Sequence, residues 1–163
     1  GILHMSIVPA RVEEQLSSRA VEWASLLADA MSYVGVLAVE FFVSTDGKLY
    51  FNEMAPRPHN SGHYTSDACV TSQFEQQARM MCGLPAGDTR LLSPVVMVNL
   101  LGDLWQPDWA AMLDRPELKL HLYGKTEARP GRKMGHYNVM AADIESALAI
   151  AEQVFSSLES YSA

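Results

Sequence analysis

The chain has 163 residues, which is enough for one compact domain or for two small lobes with a core. Hydrophobic residues make up 48% and charged residues 19%, as in soluble globular proteins, and the net charge of −7 argues against a nucleic-acid-binding protein. No stretch approaches the ~20 apolar residues of a membrane span. Cys69 and Cys82 fit no CxxC or disulfide-rich pattern, so we expect reduced thiols in a cytoplasmic protein.

The first half of the chain alternates helical and extended patterns. Apolar residues recur at helical spacing over 10–31, which predicts an amphipathic helix packed on one face, and Pro9 suits its first turn because that position needs no N–H donor. Runs rich in Val, Phe and Tyr predict strands over 34–44 and 48–54. Three further elements are predicted here: a short strand over 1–8, a polar loop over 55–65, and a second helix over 67–81 whose segment holds both cysteines and is closed by Gly83 and Pro85.

The pattern changes near residue 94, where apolar strands are joined by short connections. The predicted elements are strands over 95–101, 118–123 and 136–141, a short helix over 107–113, a basic loop over 125–135, and a closing helix that Asp143 caps and that runs to Leu158. This organisation predicts an α+β fold with a main lobe over 1–93 and a smaller lobe over 94–163.

The connection between the first two long strands is the most informative local signal. Asp46-Gly47 can supply the positive φ angles of a two-residue type I′ turn. If these are the two central turn residues, Glu40 lies directly across from Glu53, with Cβ atoms about 4.5–5.5 Å apart on one face of the sheet. Two carboxylates held there among apolar neighbours need a proton, a cation or solvent.

Three interpretations of this pair remain open from the residues alone. A hard divalent cation such as Mg²⁺ fits two carboxylates together with the phosphate oxygens of a nucleotide, and Asn52 could add an amide contact. The glutamates could instead point to water at a solvated sheet edge, or form the acid–base pair of a hydrolase. A two-residue slip of the turn would also separate them.

The segment after the hairpin is dense in hydrogen-bond donors. Arg57 can hold a phosphate or a carboxylate in a bidentate fork. The side chains that could bind the polar edges of a small ligand are those of His59, Asn60, Ser61 and His63. A hydrogen-bonded surface loop is equally consistent with these residues, and a zinc site at His59 and His63 lacks an evident third ligand.

Several runs of the sequence resemble one family, in order and over nearly the whole chain. The specific runs are NEMAPRPHNSGHYT (52–65) and RPGRKMGH (129–136), and they are joined by SQFE (72–75), VMVNLLG (96–102) and HLYGK (121–125). These runs resemble the 5-(carboxyamino)imidazole ribonucleotide synthases, ATP-grasp ligases of purine biosynthesis. The resemblance implies the C-terminal half of an ATP-grasp domain, an antiparallel sheet with helices, followed by a small, β-rich α+β lobe.

The resemblance also implies roles for residues of the hairpin and the polar loop. It places Mg²⁺ (or Mn²⁺) on Glu40 and Glu53, where the metal bridges the ATP phosphates, and it places Asn52 and Glu53 in the ATP site. Many ATP-grasp enzymes carry an asparagine where this chain has Ala55, so we assign Asn52 only a supporting role. The residues expected to bind the ribonucleotide are Arg57, His59, Asn60 and Ser61. A related formate-dependent transformylase shares Pro-Arg-Pro-His, but the Asn-Ser-Gly-His continuation favours the carboxylating synthase.

The basic loop reverses the charge of the chain locally. Four cations, Lys125, Arg129, Arg132 and Lys133, stand against the single acid Glu127. A solvated charged turn is one interpretation. With the resemblance, we expect Lys125, Arg132 and Lys133 to bind the 5′-phosphate of the ribonucleotide, with the loop folded back towards the 57–63 segment. His121 and His136 are expected to be structural.

By resemblance, the whole enzyme uses ATP to activate bicarbonate as carboxyphosphate and then carboxylates the amine of 5-aminoimidazole ribonucleotide. It is expected to be a homodimer with no nucleic-acid or membrane partner. The chain shows no glycine-rich phosphate-covering loop and no adenine-binding segment, so we expect it to be inactive alone. The alternative is a stand-alone small-molecule-binding or regulatory module that reuses the fold.

Overall fold

A computed structural model describes residues 2–104 and 110–162. The chain folds into two compact units, which we name the sheet unit and the hairpin unit. The sheet unit comprises Gly1–Pro9, Asp67–Cys69 and Leu91–Ala163, and the hairpin unit comprises Ala10–Ser66 and Val70–Arg90. The division into domains over 1–93 and 94–163 stays a prediction.

The fold has six strands and four α-helices in the described ranges. In chain order they are β1 (Met5–Val8), α1 (Glu14–Ala30), β2 (Ala38–Val43), β3 (Leu49–Ala55), α2 (Thr65–Ala68), α3 (Gln73–Met81), β4 (Val95–Leu101), β5 (Leu118–Leu122), β6 (Lys133–Met140) and α4 (Ile144–Ser162). None of these helices combines the length and the apolar character that a transmembrane helix needs. The α+β prediction is confirmed.

The sheet unit is built on a four-stranded antiparallel sheet in the order β1-β4-β6-β5. The two central strands, β4 and β6, are each buried at six positions, because both have neighbours on either side and a face covered by α4. The buried core consists mainly of Val96, Val98, Leu100, Tyr137, Val139, Ala147 and Ala151. Burial of this apolar area is the main stabilising contribution to the unit.

Asp143 caps α4, as predicted. Its Oδ1 accepts a hydrogen bond from the Ser146 N–H at 2.7 Å, and its Oδ2 accepts one from the Ser146 hydroxyl at 2.9 Å. The backbone bond from Ser146, followed by the side-chain bond, holds the pKa of the Asp143 carboxyl below its usual value. A carboxylate at this position also offsets the positive end of the helix dipole.

The hairpin unit buries far less apolar surface. Its sheet has only β2 and β3 in the described ranges, and α1 has no buried residue. Leu16, Ala20 and Leu27 are half-buried along one side of α1, as predicted for an amphipathic helix. Val21 and Leu26, which lie outside this side, are 65% and 58% exposed. Trp23 does contact the hairpin, with its ring centroid 6.1 Å from that of Phe41 in an edge-on arrangement.

The predicted continuous helix over 67–81 is wrong. The chain forms the single turn α2, leaves the helix at Cys69, and starts again at α3, where the Ser72 hydroxyl accepts a hydrogen bond from the Glu75 N–H at 3.1 Å. Cys69 is bridged to Leu91 instead of being helical, and burial raises the pKa of its thiol. Helical spacing did not show this break because it depends on a distant contact: Ala68 and Cys69 belong to the sheet unit, where Cys69 pairs with Leu91.

Three smaller differences concern element ends. Pro9 follows a cis peptide bond, and α1 begins only at Glu14, so the proline is not in the helix. Strand β6 begins at Lys133, which removes this lysine from the predicted loop. In the predicted helix over 107–113, residues 107–109 lie outside the described residues, and Ala110–Asp114 is a 3₁₀ helix.

Candidate metal and nucleotide site

Glu40 pairs directly with Glu53, as predicted, although the turn differs from the predicted one. The Gly47 N–H donates to the Ser44 carbonyl at 2.9 Å, and the Ser44 N–H donates to the Lys48 carbonyl at 2.9 Å. Of the turn residues only Gly47 has a positive φ, of 75°, whereas a type I′ turn requires positive φ at both central residues. The connection is therefore a three-residue loop with its glycine in the left-handed region, and the predicted two-residue turn is wrong.

Polar contacts stabilise this longer turn. The Lys48 ammonium lies 2.6 Å from Asp46 Oδ2, and the Ser44 hydroxyl donates to the same carboxylate. These two contacts, that of Lys48 first, hold the pKa of the Asp46 carboxyl below its usual value. Asp46 is thus engaged as an acceptor inside the loop.

A bulge at Asn52 restores the register that the longer turn shifts. Near the turn, Phe41 pairs with Phe51, but the register shifts by one residue between Phe41 and Glu40. The extra residue in β3 is Asn52, so Glu40 faces Glu53 and not Asn52. The Asn52 amide then donates to Glu40 Oε2 at 3.3 Å. The amide contact expected of Asn52 is thus made to Glu40 itself.

His59 joins the two carboxylates. One potential ligand atom from each of Glu40, Glu53 and His59 lies within 4.8 Å of the others, and His59 Nε2 is 3.7 Å from Glu40 Oε1. Carboxylate oxygens are the ligands that Mg²⁺ and Mn²⁺ prefer, so the pair fits such a cation. His63 is not in this cluster, and its Nδ1 lies 2.8 Å from Gln73 Nε2. The geometry does not support a zinc site at His59 and His63.

The polar loop places its predicted binding residues differently. Ser61 lies next to His59, with its Oγ 2.9 Å from His59 Nδ1, and Asn60 begins a 3₁₀ helix over Asn60–Gly62. The exposed Arg57 side chain instead donates to the Pro58 carbonyl at 3.0 Å. Sequence reasoning brought Arg57, His59, Asn60 and Ser61 together as one ligand site, and of these the structure groups His59 with the two carboxylates.

The basic loop is held by hydrogen bonds within the sheet unit. The Gly131 N–H donates to Asp103 Oδ2 at 2.8 Å, and the Arg132 carbonyl accepts from the Gly102 N–H at 2.8 Å. A Cβ at Gly102 would lie 2.1 Å from the Arg129 carbonyl oxygen, so this close approach requires glycine. The loop is therefore fixed at its base.

The cations of this loop differ in exposure and in partners. Lys125, Arg132 and Lys133 are half-buried, whereas Arg129 is exposed. Lys125 Nζ donates to the Lys133 carbonyl at 2.5 Å, and the Arg132 guanidinium donates to the Glu127 carbonyl at 2.9 Å. Arg129 instead pairs with the Glu127 carboxylate at 2.6 Å, which, together with Arg132, keeps the pKa of Glu127 below its usual value.

His121 and His136 form a polar cluster on the sheet unit, consistent with their expected structural role. Their rings stack 4.5 Å apart, and the Tyr123 hydroxyl lies 2.8 Å from His136 Nδ1. Asp67 Oδ2 lies 2.7 Å from His121 Nε2 and 2.6 Å from the Asn138 amide nitrogen. Sequence reasoning missed Asp67 because its partners are more than 50 residues away.

Comparisons with known proteins show the family of the chain. The ATP-grasp domain model matches residues 1–74, and the phosphoribosylaminoimidazole carboxylase C-terminal domain model matches residues 95–150. An N5-carboxyaminoimidazole ribonucleotide synthase from Bacillus subtilis is 55% identical over 144 residues, which cover 86% of this chain and 37% of the relative. The chain belongs to the N5-carboxyaminoimidazole ribonucleotide synthase family.

Solved structures of this family match the fold closely. A crystal structure of an N5-carboxyaminoimidazole ribonucleotide synthetase in complex with ADP superimposes with a TM-score of 0.90 at 52% identity, covering 99% of this chain and 42% of that one. A synthase from Aspergillus clavatus, in complex with ADP and 5-aminoimidazole ribonucleotide, gives a TM-score of 0.87 at 32% identity, covering 98% and 44%. The chain corresponds to a C-terminal portion of these ATP-grasp ligases and spans less than half of their length.

Proposed function

We propose that this chain carries the metal ligands and part of the ribonucleotide site of an ATP-dependent ligase of purine biosynthesis. The whole enzyme would carboxylate 5-aminoimidazole ribonucleotide with bicarbonate at the expense of ATP. The observation that carries this proposal is the Glu40–Glu53 pair beside His59, within a chain 55% identical to an N5-carboxyaminoimidazole ribonucleotide synthase. Since the chain spans 37% of that relative, we propose that it is inactive alone.

The two glutamates would hold the divalent cation. A bound Mg²⁺ or Mn²⁺ offsets the negative charge that gathers on the phosphate groups of ATP. Glu40 and Glu53 supply the oxygen ligands, and Asn52 orients Glu40 through its 3.3 Å hydrogen bond. The role of the protein here is positioning and electrostatics, which dominate phosphoryl-transfer catalysis.

The basic loop would hold the phosphate of the ribonucleotide. A phosphate dianion is bound best by several cations at close range, with arginine giving directional forks and lysine a mobile point charge. All three cations are half-buried, and the side chains of Lys125 and Arg132 are held by backbone carbonyls, so little entropy of these two side chains would be lost on binding.

Metal binding tests the first part of the proposal. We expect Glu40→Gln and Glu53→Gln to abolish saturable Mn²⁺ binding by the 163-residue chain, measured by electron paramagnetic resonance titration. The matched control is Glu75→Gln, since Glu75 pairs with Arg79 at 2.7 Å on α3 and lies outside the cluster. Equal affinity in all four proteins would refute the metal role.

Ribonucleotide binding tests the second part. In a full-length enzyme carrying this sequence, we expect Arg132→Glu to weaken ribonucleotide binding by more than about 1 kcal/mol, the scale of a charged hydrogen bond, and to leave ATP binding nearly unchanged. Arg129→Glu is the matched control, because Arg129 is exposed and paired within the loop. Calorimetric titration of both ligands decides the matter. Equal loss for both ligands would indicate misfolding, and no loss would favour a solvated turn.

Turnover tests the expected inactivity. We expect no measurable ATP hydrolysis or carboxylation when the chain is mixed with ATP, bicarbonate and 5-aminoimidazole ribonucleotide. Turnover on the order of 10 per second, an ordinary enzyme rate, would contradict this expectation.

A further inference from the structure

Helix α3 holds loop backbone through the side-chain amides of its glutamines. Gln73 Oε1 accepts from the His59 N–H at 2.9 Å, while its Nε2 donates to the His59 carbonyl at 2.9 Å. Gln76 makes the same pair of bonds to Gly87, also at 2.9 Å each. Each amide satisfies both backbone groups of one residue, as a neighbouring strand would. Two equivalent clamps thus sit three residues apart on one helix, and only one of them holds a residue of the carboxylate cluster.

The Gln73 clamp is built into the polar loop. Gln73 is 9% exposed, its Nε2 also lies 2.8 Å from His63 Nδ1, and its own N–H donates to the Thr65 hydroxyl at 3.0 Å. A Cβ at Gly62 would lie 2.8 Å from Gln73 Oε1, so glycine there leaves room for the amide. The backbone of His59 is therefore fixed on both sides by one buried side chain.

The imidazole of His59 is oriented in turn by Ser61. Its Nδ1 accepts a hydrogen bond from the Ser61 N–H at 3.3 Å, which caps the 3₁₀ helix. The Ser61 hydroxyl also lies 2.9 Å from this nitrogen. When Nδ1 accepts from Ser61, the neutral ring carries its proton on Nε2. That Nε2 faces Glu40 Oε1 at 3.7 Å, and the His59 side chain is only 13% exposed. In this tautomer His59 turns its Nε2–H group towards Glu40, at a distance longer than that of a hydrogen bond.

We propose that Gln73 is a positioning residue of the carboxylate site and acts by fixing His59 with its Nε2–H group towards Glu40. Carboxylates that bind metals are commonly oriented by outer groups that donate hydrogen bonds to them, and loss of these groups weakens metal binding. The inference rests on the proposed function for the identity of the cation, but the orientation of His59 follows from contacts that require no metal.

The test compares Gln73→Met with Gln76→Met, two neutral substitutions that each remove one clamp from α3. In the 163-residue chain we expect Gln73→Met to weaken Mn²⁺ binding about tenfold, and Gln76→Met to stay within about twofold of the parent chain. Nitrogen-15 spectra of labelled histidines should show His59 protonated on Nε2 in the parent chain and in Gln76→Met. In Gln73→Met the His59 signals should shift or broaden.

Two substitutions of His59 keep the test decisive if Gln73→Met does not fold. His59→Gln can place an amide donor where Nε2 lies, whereas His59→Asn can keep the acceptor for Ser61 but is too short to reach Glu40. We expect His59→Gln to bind Mn²⁺ within about threefold of the parent chain and His59→Asn about tenfold more weakly. The proposal would be overturned if His59→Asn bound Mn²⁺ more tightly than His59→Gln. It would also be overturned if His59 of the parent chain were protonated on Nδ1, or if Gln73→Met and Gln76→Met weakened binding equally. A parent chain that binds no Mn²⁺ would instead refute the metal role, and the spectra would still decide the orientation of His59.

Discussion

The strands of the sheet unit and those of the hairpin unit have similar apolar content but very different burial. In β4, six successive residues are buried, whereas in the hairpin Phe42, Tyr50 and Phe51 are each more than half exposed. The central strands β4 and β6 each have two hydrogen-bonded neighbours and are covered by α4. In the described part of the chain, β2 and β3 have only each other.

The difference in burial means that the most buried core and the carboxylate cluster lie in different units. An isolated two-stranded hairpin is at best marginally stable in water, whereas a covered four-stranded sheet can fold on its own core. The carboxylate cluster, the bulge and the polar loop all belong to the less buried hairpin unit. We infer that, within this 163-residue chain, the sheet unit accounts for most of the free energy of unfolding.

The largest expected contrast is between two truncations to alanine. Leu100→Ala removes a fully buried side chain and should lower the free energy of unfolding by about 2–5 kcal/mol. Phe51→Ala removes a ring that is 51% exposed and should cost less than about 1 kcal/mol. Urea unfolding measures the free energy of unfolding of both variants. Hydrogen exchange then shows whether the backbone amides of β4 or those of β3 lose protection. Comparable losses would contradict the contrast.

Tyr137→Phe tests the sheet unit through pH. The buried Tyr137 hydroxyl donates to the Ala151 carbonyl at 2.9 Å, so its removal should cost about 0.5–1.5 kcal/mol. Burial raises the pKa of this hydroxyl far above its ordinary value. The resulting stability is complete below the ordinary tyrosine pKa of about 10 and is lost as pH rises through the folded pKa. Above pH 10, the melting temperature should therefore fall less steeply with pH in the variant than in the parent chain. Parallel plots of melting temperature against pH would contradict this.

Glu40→Gln tests the hairpin unit, and its expected sign is opposite. Removing one of two like charges that face each other across the strands should raise the free energy of unfolding without metal by about 0.2–1 kcal/mol. Urea unfolding in the presence of a chelator measures this change. With saturating Mn²⁺ the parent chain should have the higher free energy of unfolding of the two proteins, because only the parent chain would gain stability from binding. A variant less stable under both conditions would show that the pair does not destabilise the hairpin.

Asp143→Ala should have the smallest effect, because this cap is fully exposed. The hydrogen bonds from Ser146 lower the pKa of Asp143, so the stability that they give is present above the ordinary pKa of the carboxyl. It is lost as pH falls through the folded value. A small decrease in melting temperature is expected at neutral pH and none in strong acid. A decrease that persists in acid would show that the carboxylate charge is not responsible.

The sequence determined most of the element order and the family-specific residues. Strand β4 and the cap at Asp143 were predicted correctly because local patterns suffice there: a continuous apolar run and a capping residue before an amphipathic helix. The pairing of Glu40 with Glu53 was also predicted, but for an incomplete reason. The turn is one residue longer than predicted, and the bulge at Asn52 compensates by one residue.

Only the tertiary structure decided the remaining contacts. The break after α2 depends on the bridge between Cys69 and Leu91, and Asp67 finds its partners at His121 and Asn138. The clamp by Gln73 likewise joins residues 14 positions apart. Periodicity reports which face of an element is apolar, but it carries no information on which distant polar group completes a hydrogen bond. Those pairings are fixed only when packing brings the elements together and buried donors and acceptors must be satisfied.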